Sequence, residues 1–275
     1  MKLQYLGTAA AEGLPGMFCD CPTCRRAAAL GGRNRRTRSQ ALVDGRLLLD
    51  LPCDTYYHFM THSIDQMAIE NCLITHVHDD HFYPNEFAHL NTEKYSHPVP
   101  GWTMTVWGSP AVEQRLAPYL EKNGTLLKFR LVEPFRPFAV DGYTVTALKA
   151  AHTTQDPYLY AIGDGARTLL YAHDTGEFLP ETMDYLRQSG LHFDLVSLDC
   201  TQAADTQFFE FHHLCLPRDI AVREALLQSG CADAGTRFVL NHFSHNGPTA
   251  CYDDFLPLAE AQGFAVSYDG MTIEV

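Results

Sequence analysis

The sequence predicts a mixed α/β fold in which sheets pack together and are covered by helices. Strand groups interleave with helices in two halves of the chain. The strands are short, apolar and rich in β-branched residues. Several end on a histidine or an aspartate where the strand gives way to a loop.

The elements follow in order. Leu3 to Leu6 is a first strand, and Gln40 to Leu51 holds two more about a turn at Asp44-Gly45. Thr55 to Glu70 has helical character, and Asn71 to Thr75 is a short apolar strand. Pro84 to His97 and Pro110 to Lys122 are expected as helices, with Met104 to Trp107 a strand between them. Strands are expected at Lys128 to Val132, Tyr143 to Lys149, Tyr158 to Ile162 and Thr168 to Tyr171, with Gly163-Asp164-Gly165 as a hairpin turn. The chain then alternates: helix near Leu179 to Gln188, strand Leu195 to Leu198, helix Pro217 to Gln228, strand Phe238 to Leu240 and helix Tyr252 to Gln262. Strands Ala265 to Tyr268 and Met271 to Val275 close it.

With 275 residues, 46% hydrophobic and 19% charged, the chain can bury a large core without disulfides. No apolar stretch approaches the ~20 residues of a membrane span, and Met1 to Gly7 lacks a signal-peptide core. A cytoplasmic protein is expected. The net charge of -13 argues against broad nucleic-acid or membrane binding. Arg25, Arg26, Arg33, Arg35, Arg36 and Arg38 cluster locally. They are read first as a solvated helix and loop, and second as a collar for an anionic substrate.

The run Thr75-His76-Val77-His78-Asp79-Asp80-His81 carries the strongest signal. Imidazole and carboxylate hold divalent transition metals well. Ligands this dense at a strand end desolvate badly unless a cation neutralises them. His76, His78, Asp80 and His81 cannot by themselves fill two metal sites. The remainder is sought at later strand ends: His152 after Thr144 to Lys149, Asp174 after Thr168 to Tyr171, and His242 after Phe238 to Leu240. A carboxylate such as Asp174 can bridge two cations. His173 is set aside, and Asp79 is expected to face solvent or support the ligands.

Of the 9 cysteines, Cys19, Cys21 and Cys24 cluster as C-x-C-x-x-C. Three thiolates suit a tetrahedral structural zinc with a fourth ligand, for which His245 is the natural candidate. The scattered Cys53, Cys72, Cys200, Cys215, Cys231 and Cys251 are read as buried thiols.

With its H-x-H-x-D-H run followed by His152, Asp174 and His242, the sequence resembles the metallo-β-lactamase fold superfamily over essentially the whole chain. The resemblance implies a four-layer αββα sandwich with the site at one edge, as one domain over residues 1–275. It implies that His76, His78 and His152 hold one metal, that Asp80, His81 and His242 hold another, and that Asp174 bridges them. Leu6 to Pro15, the three clustered cysteines and Arg36-Thr37-Arg38-Ser39 resemble the branch containing the phosphoribosyl cyclic phosphodiesterase of the carbon–phosphorus lyase pathway and PqqB. Ala9 stands where many relatives carry Gly. The N-terminal zinc loop is placed at about 13–38.

Phe211-His212-His213 before a helix resembles the place where phosphodiesterases of the superfamily keep a catalytic histidine. The spacing selects His213, with Asp80 as the other catalytic residue. The expected activity is hydrolysis of a small, cyclic or open phosphodiester by a metal-bridging hydroxide. Two divalent ions (zinc, with Mn or Fe accepted) serve the site and one zinc is structural. The expected partner is a small anionic substrate, and a homodimer is compatible. Hydrolysis of a lactone, thioester or β-lactam, a tRNA 3′-processing nuclease and a non-catalytic PqqB-like accessory protein are the competing readings.

Overall fold

Residues 1–90, 94–204, 212–246 and 249–275 are described by the computed structural model of the chain. Two sheets organise them. The first contains β1 (Lys2–Gly7), β2 (Gln40–Val43), β3 (Leu47–Leu49), β4 (Asn71–Leu73), β5 (Met104–Gly108), β6 (Leu127–Leu131) and β14 (Thr272–Glu274), in the order β14-β1-β2-β3-β4-β5-β6. The second contains β7 (Phe138–Val140), β8 (Tyr143–Lys149), β9 (Tyr158–Gly163), β10 (Thr168–Ala172), β11 (Leu195–Asp199), β12 (Arg237–Asn241) and β13 (Ala265–Val266), in the order β13-β12-β11-β10-β9-β8-β7.

The first sheet is antiparallel from β14 through β3 and parallel from β3 to β6, and the second is antiparallel from β7 to β10 and parallel from β10 to β13. Parallel neighbours need crossovers. Helices α3 (Pro110–Asn123), α4 (Pro180–Ser189), α5 (Leu216–Gln228) and α6 (Tyr252–Glu260) supply four of them. α1 (Pro22–Leu30) and α2 (Thr55–Thr61) precede these.

The period of two along each strand sorts side chains into layers. Leu3, Tyr5, Ala41, Val43, Leu47 and Leu49 face Val145, Ala147, Tyr160, Ile162, Leu169, Tyr171 and Val239 between the sheets. The alternate residues Leu6, Leu42 and Leu48 pack outward with Val112 and Leu116 of α3. Leu170, Val196, Leu198 and Leu240 pack outward with Leu186, Leu226 and Phe255 of α4, α5 and α6. Helix, sheet, sheet and helix layers result, as the resemblance implies.

Four departures from the sequence reading have physical causes. The helix expected over Thr55 to Glu70 stops at Thr61, because His62 caps it and Ser63 takes φ 51°. Asp65 then starts a separate 3-10 turn, Gln66–Ala68, by accepting from Met67 N. Of Pro84 to His97, only the 3-10 segment Pro84–His89 is helical among the described residues, and residues 91–93 lie outside them. Pro98 and Pro100 close the stretch and disfavour helix before them. Strand β7 is unexpected, because its three residues are squeezed between Pro137 and the turn at Asp141-Gly142 and read as loop. The last two strands are also shorter than expected.

Candidate metal centre

Three strand ends turn sharply. Asp50 after β3, Asp174 after β10 and His242 after β12 take φ 66°, 54° and 66°. Left-handed backbone at a non-glycine residue is strained and persists where its surroundings enforce it. Here it swings three polar side chains out of apolar strands toward one edge. The fourth contributor, Thr75 to His81, is held from both sheets. Ile74 N donates to Trp107 O (2.9 Å), Tyr158 N donates to Thr75 O (2.9 Å), and the Tyr160 hydroxyl donates to Ile74 O (2.7 Å). A tight turn then closes on His78 O, which accepts from His81 N and Phe82 N.

The sequence-predicted residues converge in two groups. His76 Nε2 and His152 Nε2 each lie 3.1 Å from His78 Nδ1, and Asp174 Oδ2 lies 3.1 and 3.6 Å from His76 and His152. In the second group His81 Nε2 lies 3.1 Å from His242 Nε2, 3.5 Å from Asp80 Oδ2 and 3.1 Å from Asp174 Oδ2. Atoms bound at about 2.0–2.2 Å to one tetrahedral cation sit roughly 3.3–3.6 Å apart, so both groups fit a cation. Asp174 Oδ1 is buried and accepts no hydrogen bond from the protein, which is expensive unless a positive charge faces it. Asp174 belongs to both groups.

Electrostatics point the same way. Burial holds His76 down at about 3, with the neighbouring His81 charge adding to it, and burial also lowers His152. Burial works against charge on His81 too, yet Asp50, Asp80 and Asp174 together raise it. Burial would raise Asp174, but His242 and His81 keep it well below the usual carboxylate range. The site concentrates carboxylates at a point that needs positive charge. Among protein groups alone, His81 and His242 supply it; divalent cations would supply it with every imidazole neutral.

Three supporting residues are absent from the sequence reading. Asp50, wholly buried, accepts from His81 Nδ1 (2.7 Å) and from the Thr75 amide and hydroxyl (2.8 and 2.9 Å). Thr201 Oγ1 lies 2.8 Å from His242 Nδ1 and donates to Asp199 Oδ2. Asp199 is also 3.1 Å from His213 Nδ1 and accepts from the amides of Asp174 and Leu214. Both aspartates end apolar strands, the same signal that marks Asp174, and could have been found by it. Such partners fix the tautomer and orientation of a ligating imidazole. Asp50→Asn is therefore expected to weaken metal binding roughly 10–100-fold. Competition against a chromophoric chelator measures this, and unchanged affinity would remove Asp50 from that role.

His213 and His152 line a cavity of about 210 Å³ that also touches His78, Asp80, Asp174 and His242. His212 places its carbonyl 3.4 Å from His152 Nδ1, and its ring lies edge-on to that of His152 at 6.3 Å between centroids. Phe211 lies outside the described residues. His173 turns between the sheets, 2.7 Å from Ser197 Oγ. Asp79 is exposed and pairs with Arg115.

At the N-terminus, His245 Nδ1 lies 3.3, 3.5 and 3.2 Å from the sulfurs of Cys19, Cys21 and Cys24. A tetrahedral zinc with thiolate and imidazole ligands sets that separation at roughly 3.5 Å. Burial pushes the Cys21 thiol up, but the Cys24 amide and His245 outweigh it and hold it at about 6. Burial pushes Cys24 up to about 12. The loop is stitched to the edge that carries the candidate centre: Phe243 N donates to Thr8 O, and Ala10 N to Phe243 O. Ala9 is buried there, bridging to Arg38 and Phe243, so a side chain is accommodated where relatives carry Gly.

The arginine cluster forms no collar among the described cavity residues. Arg25 pairs with Asp20, Arg26 with Asp254 and Arg38 with Asp54. Arg33 stacks on Tyr268, and Arg35 donates to Ala28 O. Arg36 is not solvated at all: it is buried against Phe243 and donates to Thr8 Oγ1 and Ser267 O. Five of the scattered cysteines are buried as expected, whereas Cys53 is exposed on the turn before α2.

Residues 55–243 match the family described as the beta-lactamase superfamily domain. The chain is 28% identical over 202 residues to an octanoyltransferase of Porphyromonas gingivalis, covering 70% of this chain and 38% of that one. It thus spans about two fifths of that relative. The solved structure of a new diphosphatase from the PhnP family is 19% identical, with TM-score 0.76 and coverage of 100% and 96% of the two chains. Zinc-bound PqqB from Methylobacterium extorquens is 20% identical, with TM-score 0.71 and full coverage of both. At these identities the likeness is one of fold. Among the described residues, no helix is long and apolar enough to cross a membrane.

Proposed function

The chain belongs to the beta-lactamase superfamily, and from that premise we propose that it is a metal-dependent hydrolase of small phosphodiesters, cyclic ones included. Two divalent cations, zinc in the first place, would be held by His76, His78, His152 and by Asp80, His81, His242, with Asp174 shared. When bound, they would lower the pKa of a water and offset charge on the phosphoryl oxygens.

The observation that carries the phosphodiester reading is His213. It stands in the cavity wall with Nδ1 3.1 Å from Asp199 Oδ2 and 3.3 Å from Asp174 Oδ1. Facing the Asp199 carboxylate, Nδ1 would carry the ring proton, which fixes the ring. An imidazole so held is suited to deliver a proton to a departing alkoxide. Asp80 shares its group with His81 and His242 and orients the reacting centre. One structural neighbour is a diphosphatase, in keeping with attack at phosphorus.

His213→Ala is expected to cut turnover of bis(p-nitrophenyl) phosphate by roughly 10²–10⁴-fold, the usual worth of a positioned proton donor. Metal content should stay as in the wild type. A panel adding cyclic nucleotides, a lactone and a thioester reads out the class. Hydrolysis of the lactone or thioester with no phosphodiester turned over would overturn the reading, as would full activity after chelation.

A further inference from the structure

The lining of the cavity divides by chemistry. One part is the His/Asp cluster with His213. The rest is Ala10, Ala11, Glu12, Thr153, Ser244 and Asn246 beside Thr201. No lysine or arginine occurs among the described lining residues. Glu12 is the one acid there outside the metal groups.

Glu12 does not swing freely. Its Oε1 accepts from Ser244 Oγ and lies 3.6 Å from His245 Nε2, and the side chain is 28% exposed. A fixed carboxylate in a site for an anion works against binding unless it reads something else on the ligand. A carboxylate accepts hydrogen bonds from hydroxyls and repels a second negative group. Thr153, Ser244 and Asn246 extend the same polar, uncharged surface. The small volume leaves room for a phosphoryl group and a short polyol.

We propose that Glu12 is the specificity-determining residue of this cavity, selecting phosphodiesters whose second half is neutral and hydroxyl-bearing and excluding those with a second anionic group. This rests on the phosphodiesterase reading. A narrower role is that Glu12 only orients His245 within the cysteine cluster. Glu12→Gln separates the two, because the glutamine carbonyl still accepts from Ser244 and His245 but carries no charge.

The test compares glycerol 3-phosphate with 3-phosphoglycerate, monoesters of the kind such diesters release, which share a phosphate and differ by a hydroxymethyl against a carboxylate. Their binding to metal-loaded wild type and E12Q is measured by calorimetry, and again as inhibition of bis(p-nitrophenyl) phosphate hydrolysis. Wild type should prefer glycerol 3-phosphate by roughly tenfold or more, and E12Q should bring the ratio near one. Asn246→Asp, which adds a carboxylate to the same wall, should widen the preference, and it carries the test should E12Q fail to fold. An equal ratio in wild type and E12Q, or no preference in wild type, overturns the proposal. Absence of phosphodiester turnover with the calorimetric ratios as expected would instead overturn the activity, and with it selection among phosphodiesters, leaving Glu12 a charge preference in binding alone.

Discussion

Asp174→Asn should reduce phosphodiester turnover by at least about 10³-fold and lower the metal content per chain, while the secondary structure persists. Asp174 Oδ2 lies 3.1 Å from both His76 and His81, and Oδ1 lies 3.4 Å from His242. The one carboxylate therefore meets both metal groups. Asparagine tolerates the φ of 54° at this position, so the turn out of β10 is kept and the effect is chemical. The amide removes a negative charge from a buried cluster of imidazoles and sets a donor among nitrogens that need to accept. Several kcal/mol of transition-state stabilisation depend on the cations such a site holds, and each 1.36 kcal/mol is about tenfold in rate. Elemental analysis beside steady-state kinetics checks both halves. A variant with wild-type metal content and rate would remove Asp174 from the centre of this account.

The sequence exposes the residues of the centre better than it exposes what supports them. His76 to His81 is dense enough to be read by itself, and His152, Asp174 and His242 share its position at strand ends. Asp50 and Asp199 occupy equivalent positions, yet a lone aspartate after an apolar strand also reads as a turn residue. Their partners are far along the chain: Asp50 meets His81 and Thr201 meets His242 only after the sheets pack. Layering was legible because short, continuous apolar runs such as residues 41–43 and Leu47–Leu49 read as strands covered on both faces. The ends of α2 and of the Pro84 segment were not, because local turns at Ser63 and before Pro98 override helical periodicity. Arg36 misleads for a different reason. Its neighbours in sequence are surface arginines, and only tertiary contacts with Phe243, Thr8 and Ser267 bury it.

Cys24→Ala should remove one zinc per chain and destabilise the protein by on the order of 3–5 kcal/mol, at the upper end of single-substitution effects. A metal that binds only the folded state contributes its binding energy to folding. Here it would tie residues 19–24 to His245, more than 220 positions away by the separation of Cys24 and His245. Loss of packing alone would cost far less. Cys251 is buried in the same small cluster with Leu14, Cys24 and Ala27 but lies outside the thiol group, so Cys251→Ala serves as the packing control, expected near 1 kcal/mol. The effect should also reach the active site. His242 and His245 flank Phe243, whose amide and carbonyl pair with Thr8 and Ala10, so releasing the loop loosens the strand end that presents His242. Turnover should fall about tenfold beyond the control, within the range for supports of a metal ligand. Denaturant unfolding with zinc counted before and after reads all three effects. Equal stability and equal zinc in C24A and wild type would show that the four residues are neighbours without being a metal site.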